Sequence, residues 1–455
     1  MKFKVFFLLL LLMLFGITAN AAEDRYIIKF NDSIQLFDAD GTKNNKDYLS
    51  VSADELQDYL DAGVVEYYCP DLEVELFAAT WNLDSIKLDF PHMIRCYGTE
   101  VKIGVIDSGI TEGIFYNILP GYNYIDKNTD TSDDEILHGT RVSAIAAYSP
   151  FGVAVDAKVV PLKCFRNKKG SLVNILDAIV DAVDVYDCDV INMSFGISEE
   201  YFTGDGIKSL NLFKEKIDYA VSHGAILIAA VGNDESEIIN YPAALDNVIG
   251  VGSVNESGQW SDFSNYNHSV YVVAPGEKVV APHIVDGALV DGYIVKVGGT
   301  SFSAPHVSGL AAIAKCIDKD ITQAEFAQLI ADTAVETEAD EVEGWDKYYG
   351  YGLIDCEAAI KKLIEGQKVH IAPIRWNNST VITTVYNNMS TTQKTYCICV
   401  YYDESGRMVD CVYSPKDLEA YEAYDLPNPR KGVTVKYMVL SNDGEIMPLA
   451  DAKEK

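Results

Sequence analysis

Three residues of this chain have the types that acyl-transfer chemistry needs: a carboxylate at Asp107, an imidazole at His138 and an alcohol at Ser301. An alcohol is a weak nucleophile near neutral pH and needs a base within hydrogen-bond reach to take its proton. The base in turn needs a carboxylate that fixes its tautomer and steadies the imidazolium that forms. Each residue has a plainer reading when taken alone. Asp107 closes the apolar run VKIGVI, where an Asp is usually a turn or capping residue. His138 opens His138-Gly139-Thr140 at the start of a predicted helix, and a lone His there is more often structural. Ser301, in Gly298-Gly299-Thr300-Ser301-Phe302-Ser303-Ala304-Pro305, could mark an ordinary loop-to-helix junction. Their joint placement argues for chemistry. The Asp and His follow strand ends and the Ser opens a helix, so one α/β sheet can gather all three at its rim.

The elements that must do the gathering are legible. Between about Trp81 and Ile364 the runs 101–106, 157–165, 189–194, 225–232 and 248–254 are continuously apolar, as parallel strands covered on both faces are. Helical patterns over His138–Tyr148, Ser171–Asp187, Ile207–His223 and Ser301–Cys316 alternate with them. The fold class expected is α/β, a doubly wound, mostly parallel sheet with right-handed crossovers and helices on both faces. Residues 24–77 form a small α+β pattern: a strand at Arg25–Phe30, a helix opened by the capping box Ser52-Ala53-Asp54-Glu55, and strand-like alternation from Val64. From about Gln367 the alternating runs VITTVY, YCICVYY, RMVDCVY and VTVKYMVL predict a small antiparallel sandwich.

Residues 81–364 resemble the subtilisin family of serine endopeptidases (subtilases). The likeness rests on five blocks in order: VIDSGI, HGTRVSA, NMSFG, AAVGND and GTSFSAPHVSG. It implies that Asp107 orients His138, that His138 is general base and then acid, and that Ser301 is the nucleophile. Asn233 matches the residue whose amide donates into the oxyanion hole beside the Ser301 N–H. The resemblance also implies an extended peptide pairing with Ser194-Phe195-Gly196 on one edge and Gly170-Ser171-Leu172 on the other, with Asn240 at the floor of the first specificity pocket. Residues 24–77 resemble the family's propeptide through RYIIKF and GVVEYY, which places self-cleavage near Phe77–Thr80. Leu137 and Arg141 depart from the family's usual Gly and His beside the base. The short stretch Tyr148–Gly152 leaves no room for the family's common calcium loop. No cofactor is required for catalysis; a structural calcium is conceivable but not assigned, Asp126, Asp130, Asp133 and Asp134 being the oxygen-rich group that reads more simply as a solvated acidic loop. The rival from another class is a catalytically silent, regulatory binding protein on the same fold, against which the complete set Asp107, His138, Ser301 and Asn233 argues.

The 455 residues, 48% of them hydrophobic, suffice for a large core plus smaller modules. A formal charge of −32 argues against nucleic acid as a partner. Lys2 and Lys4, the apolar run Val5–Phe15 and Ala19-Asn20-Ala21 have the order of a secretory signal peptide. That run is short for a bilayer span of roughly 20 residues, so no transmembrane anchor is expected. The nine Cys lie mostly in apolar runs with no C-x-x-C pair, which suggests reduced, buried thiols and no zinc site. The organisation expected is a signal peptide at 1–21, a propeptide at 22–79, a catalytic domain at 80–364 and a β module at 365–455. The protein would be a secreted monomer, free or at the cell surface, whose partners are an extended peptide or protein substrate and its own propeptide.

Overall fold

Strands that are apolar on both sides must be covered on both sides, and the central sheet is built accordingly. Its order is Val272–Pro275, Ile249–Val254, Ile226–Ala230, Val190–Met193, Lys102–Asp107, Lys158–Lys163 and Tyr122–Asn123, with every pairing parallel. Ile103, Ile106, Leu162, Ile191, Ile228 and Val251 are all buried within it. Two helix pairs pack on the sheet: His138–Ala147 with Thr300–Ile317, and Leu172–Asp184 with Gly206–Ser222. This is the doubly wound α/β class that the apolar runs predict. Gly309 lets the first pair touch. A Cβ there would lie 2.5 Å from Val153 Cβ and 2.9 Å from the Ala146 carbonyl oxygen of the facing helix.

The structure is a computed structural model that describes residues 25–30, 48–70, 81–111, 113, 115–133, 137–285, 288–336, 344–365, 367, 369–371, 375–377, 380–402, 407–419, 421–428, 434–441 and 453–454. The signal-like residues 1–21, the stretch Phe77–Thr80 and Asp134 lie outside them. The chain divides into two compact units, Met1–Ala78 and Ala79–Lys455. In the first, Arg25–Phe30 pairs antiparallel with Tyr48–Ser52 and Val65–Pro70. The helix Ala53–Asp61 starts on the expected capping box, with Glu55 N–H donating to Ser52 Oγ and Ser52 N–H to Glu55 Oε2. Ile28, Phe30, Val51, Leu56 and Tyr59 form its core.

The second unit adds elements that pattern reading missed. Val272–Pro275 forms the sheet edge. Helix Gln323–Thr333 has its own capping box, Thr322 and Glu325, and Cys356–Leu363 follows the Asp355 cap. The C-terminal region forms two four-stranded antiparallel sheets. One is built on Thr380–Asn387 with Val369–Ile371, Arg375–Asn377 and Ala423–Asn428; the other on Gln393–Tyr402 with Met408–Leu418 and Thr434–Ser441, which Lys453–Glu454 joins. Among the described residues Cys164, Cys188, Cys356 and Cys397 form no disulfide. No helix among them is long and apolar enough to cross a membrane.

Candidate active site

Asp107 is the last residue of a strand inside the sheet, so its backbone is fixed and its side chain is buried at the carboxyl rim. Its carboxylate faces His138, with Oδ1 and Oδ2 at 2.8 and 3.0 Å from Nδ1. A carboxylate only accepts, so His138 Nδ1 carries a proton, and in the neutral ring Nε2 keeps its lone pair. Ser108 N–H donates to the same Asp107 Oδ1 at 2.7 Å. His138 is the first residue of helix His138–Ala147, and the Phe302 ring lies 5.5 Å from its own. Burial alone would lower the His138 pKa. The charge and hydrogen bond of Asp107, assisted by Asp133, outweigh it and hold the imidazole above its ordinary value.

Ser301 sits in the first turn of helix Thr300–Ile317, which no side chain caps at its Gly299 N-cap. The Ser301 N–H and the dipole of that end favour negative charge. Pro305 has no N–H, so the Ser301 carbonyl loses its usual helical partner. Ser194 Oγ replaces it, donating to the Ser301 carbonyl at 2.8 Å. Asn192 holds Ser194 Oγ from below at 2.9 Å and accepts from Ser308 Oγ at 2.9 Å, which ties the strand end Val190–Met193 to the helix. The Ser301 hydroxyl donates to the Ser194 carbonyl at 3.1 Å and makes no hydrogen bond to His138. Rotation about its Cα–Cβ bond is what would turn it toward the imidazole.

Asn233 follows the strand Ile226–Ala230 on an exposed loop. Its Oδ1 accepts from the Thr300 N–H at 2.7 Å and from Thr300 Oγ1 at 3.0 Å. Both carbonyl lone pairs are thus used on Thr300, and the Nδ2 donor is left beside Gly299. Thr300 was not among the residues singled out by sequence. Only its position next to Ser301 could have drawn attention to it.

The remaining candidates line two edges. Gly170 pairs with Phe165 in a short hairpin, and Ser171 follows in extended conformation as N-cap of Leu172–Asp184. Gly170, Ser171 and Gly196 are exposed, Leu172 and Phe195 are half-buried, and Ser194 is buried. Phe165 and Phe195, one from each edge, touch with ring centroids 5.0 Å apart. Asn240 is buried beneath, its Nδ2 donating to the Val231 carbonyl at 3.1 Å. It fills the space between two glycines: a Cβ on Gly196 would meet its Cβ at 2.9 Å, and one on Gly232 its Nδ2 at 2.3 Å.

Three of the four acidic residues considered for an ion are described, each with hydrogen-bond or ion-pair partners. Asp126 pairs with Arg166, and Asp130 accepts from Ser132 N–H and Oγ at 3.1 and 2.6 Å. Asp133 accepts from Ser108 and Thr140 behind the Asp107–His138 pair. No group of three or more His, Cys, Asp or Glu side chains is arranged to hold a metal among the described residues.

The profile of the subtilase family matches residues 98–352, more than half of the chain. The chain is similar to the thermophilic serine proteinase of Bacillus sp. (strain AK1), with 31% identity over 57% of this chain and 61% of that protein. The match thus spans less than two thirds of that relative's length. Subtilisin NAT of Bacillus subtilis subsp. natto is also 31% identical, over 61% of this chain and 70% of its own. The crystal structure of MycP1 with its N-terminal propeptide removed superposes with a TM-score of 0.55 at 29% identity, covering 62% of this chain and 97% of that one.

Proposed function

This chain belongs to the subtilase family, and on that premise we propose that it is a secreted serine endopeptidase, matured by self-cleavage of residues 22–79, with Asp107, His138, Ser301 and Asn233 as its machinery. The observation that carries the reading is the Asp107–His138 pair at 2.8 Å, which makes Nδ1 the donor, beside the helix N-terminus that carries Ser301 and whose Phe302 ring lies 5.5 Å from the imidazole. An extended peptide pairs its backbone with the edges 194–196 and 170–172. Its scissile carbonyl then lies between Ser301 Oγ and the Asn233 amide. His138 Nε2 takes the hydroxyl proton as Oγ bonds to the carbonyl carbon. The oxyanion that forms is held by Asn233 Nδ2 and the Ser301 N–H. The intermediate collapses as Nε2 passes its proton to the leaving amine and the C–N bond breaks. Water repeats the sequence on the acyl-serine, returning the free acid and the serine. Export rests on the signal-like N-terminus. The propeptide reading rests on the separate small unit with its own core and on the likeness of RYIIKF and GVVEYY.

Replacing the nucleophile tests the chemistry and the maturation together. Ser301→Ala should abolish peptide hydrolysis and labelling by a fluorophosphonate, with unchanged circular dichroism. Expressed from residue 22, the wild-type chain should lose its N-terminal unit at a bond within Phe77–Thr80, while Ser301→Ala stays full length by mass spectrometry. Hydrolysis at the wild-type rate by the variant would sink the assignment of the nucleophile. Trimming of the variant at the same bond, in a host without proteases, would sink self-processing.

A further inference from the structure

We propose that Asp133 is a positioning residue of the site, one that holds the helix carrying His138 and places a second negative charge behind the Asp107–His138 pair. The inference rests on the reading of His138 as general base. The helix His138–Ala147 starts from Leu137, which has a left-handed φ of 55° and offers no capping side chain. Its first free N–H groups find partners elsewhere. Thr140 N–H donates to Asp133 Oδ2 at 2.9 Å, and Gly139 N–H donates to Ser108 Oγ at 3.0 Å. The two acceptors are themselves joined, because Ser108 Oγ donates to Asp133 Oδ1 at 2.6 Å. Thr140 Oγ1 donates to Asp133 as well, while accepting from Thr111 N–H at 3.0 Å. Each hydroxyl has one proton, and both protons are directed at Asp133. That arrangement suits an ionised carboxylate, which accepts only.

Asp133 is thereby one residue away from the catalytic carboxylate. Ser108 donates its N–H to Asp107 and its hydroxyl to Asp133, so a single residue bridges the two acids. Burial holds the Asp133 carboxyl above its ordinary value, with Asp107 adding to the rise and the donors from Ser108 and Thr140 opposing it. The other charged groups facing it are Asp107, His138 and Arg141, with Lys163 on the Ser108 carbonyl and Asp130 earlier in its loop. A negative charge here favours imidazolium at His138, as does Asp107, while Arg141 opposes it. The carboxylate also complements the positive end of the helix.

Asparagine separates the two roles. In Asp133→Asn the amide oxygen can keep both Thr140 donors and the amide N–H₂ can donate to Ser108, whose own proton then turns from this position, so the Thr140 and Gly139 caps survive without the charge. The test is a nitrogen-detected NMR titration of His138 in the Ser301→Ala chain, which needs no turnover and therefore stands even if the proposed activity fails. Asp133→Asn should lower the His138 midpoint by about 0.5–1 unit with little change in melting temperature. Asp133→Glu, which keeps the charge, should return it to the parent value. In the active chain the acid limb of kcat/KM should move to lower pH by the same amount. An unchanged His138 midpoint in a folded Asp133→Asn chain overturns the proposal. Should that variant not fold, Asp133→Ser takes its place with the same expectation. Failure of both neutral variants beside a folded Asp133→Glu would make the carboxylate a requirement of folding alone, and would equally overturn it.

Discussion

Thr300 governs which way the Asn233 amide faces. With its backbone N–H on Oδ1, the alternative orientation of the amide would bring N–H₂ against that donor, and the hydroxyl adds to Oδ1 a proton it could otherwise give the Gly232 carbonyl. The donor is therefore oriented before substrate arrives, which is the condition under which it stabilises developing charge most. Asn233→Ala should lower kcat by about 10²–10³ with little change in KM. Thr300→Val keeps the backbone donor and removes the hydroxyl, so its loss of kcat should be near fivefold, equivalent to about 1 kcal/mol for one neutral hydrogen bond. Steady-state kinetics on one peptide substrate decide this. A change confined to KM would mean that Asn233 holds the ground state and not the oxyanion.

The helix that presents Ser301 is anchored at its buried middle by His306. This residue is fully buried; its Nδ1 donates to the Phe302 carbonyl at 2.8 Å, so Nε2 must accept from Asn82 Nδ2 at 2.8 Å. Asn82 belongs to the short helix Trp81–Ser85, which Trp81 fastens again by donating to the Lys278 carbonyl at 3.3 Å. Burial lowers the His306 pKa to about 4, against 6.5 ordinarily. The neutral form is the folded form, so the stability it contributes is complete above pH 6.5 and is lost as pH falls from there toward 4. That loss amounts to roughly 3 kcal/mol. Protonation would also set an N–H against the Asn82 amide donor. In the Ser301→Ala background, thermal unfolding should fall more steeply between pH 6.5 and 4 with His306 than with His306→Gln, which is neutral throughout. Parallel curves for the two chains would show that His306 is not the group that titrates.

At the scale of the molecule, the C-terminal sheet built on Thr380–Asn387 shares a core with the α/β region. Tyr386 packs edge-on against Phe90 with centroids 5.6 Å apart, and Asn388 Nδ2 donates to the Ile364 carbonyl at 3.1 Å. Cys96 Sγ lies 3.7 Å from His370 Nε2, another buried contact across the same boundary. Tyr386 is 2% exposed, so Tyr386→Ala leaves a cavity and should cost about 3 kcal/mol of stability. Because no candidate catalytic group touches it, kcat/KM per folded molecule should stay at the wild-type value. Denaturant unfolding and active-site titration of the same preparation measure both. Unaltered stability would mean that the β sheets are loosely appended.

The elements and four candidate residues were legible because their signals are local. Lys102–Asp107 and Ile226–Ala230 are apolar on both faces and so read as buried parallel strands. The blocks around Asp107, His138, Asn233 and Ser301 each fit within a dozen residues. Val272–Pro275 escaped although Val190–Met193, which is as short, did not. Everything that depends on a partner distant in the chain was out of reach. Asp133 belonged to an acidic loop by sequence. Its role emerges only where Ser108, 25 residues away, meets Thr140 beside it. Asn82 and His306 are 224 residues apart, and Ser194 supports Ser301 across 107. Periodicity records which face of an element is buried; it cannot record which polar atom meets which. Sequence alone determined the layers and the candidate chemistry, while the tertiary structure decided the hydrogen bonds that orient the amide, hold the helices and set the charge at the imidazole.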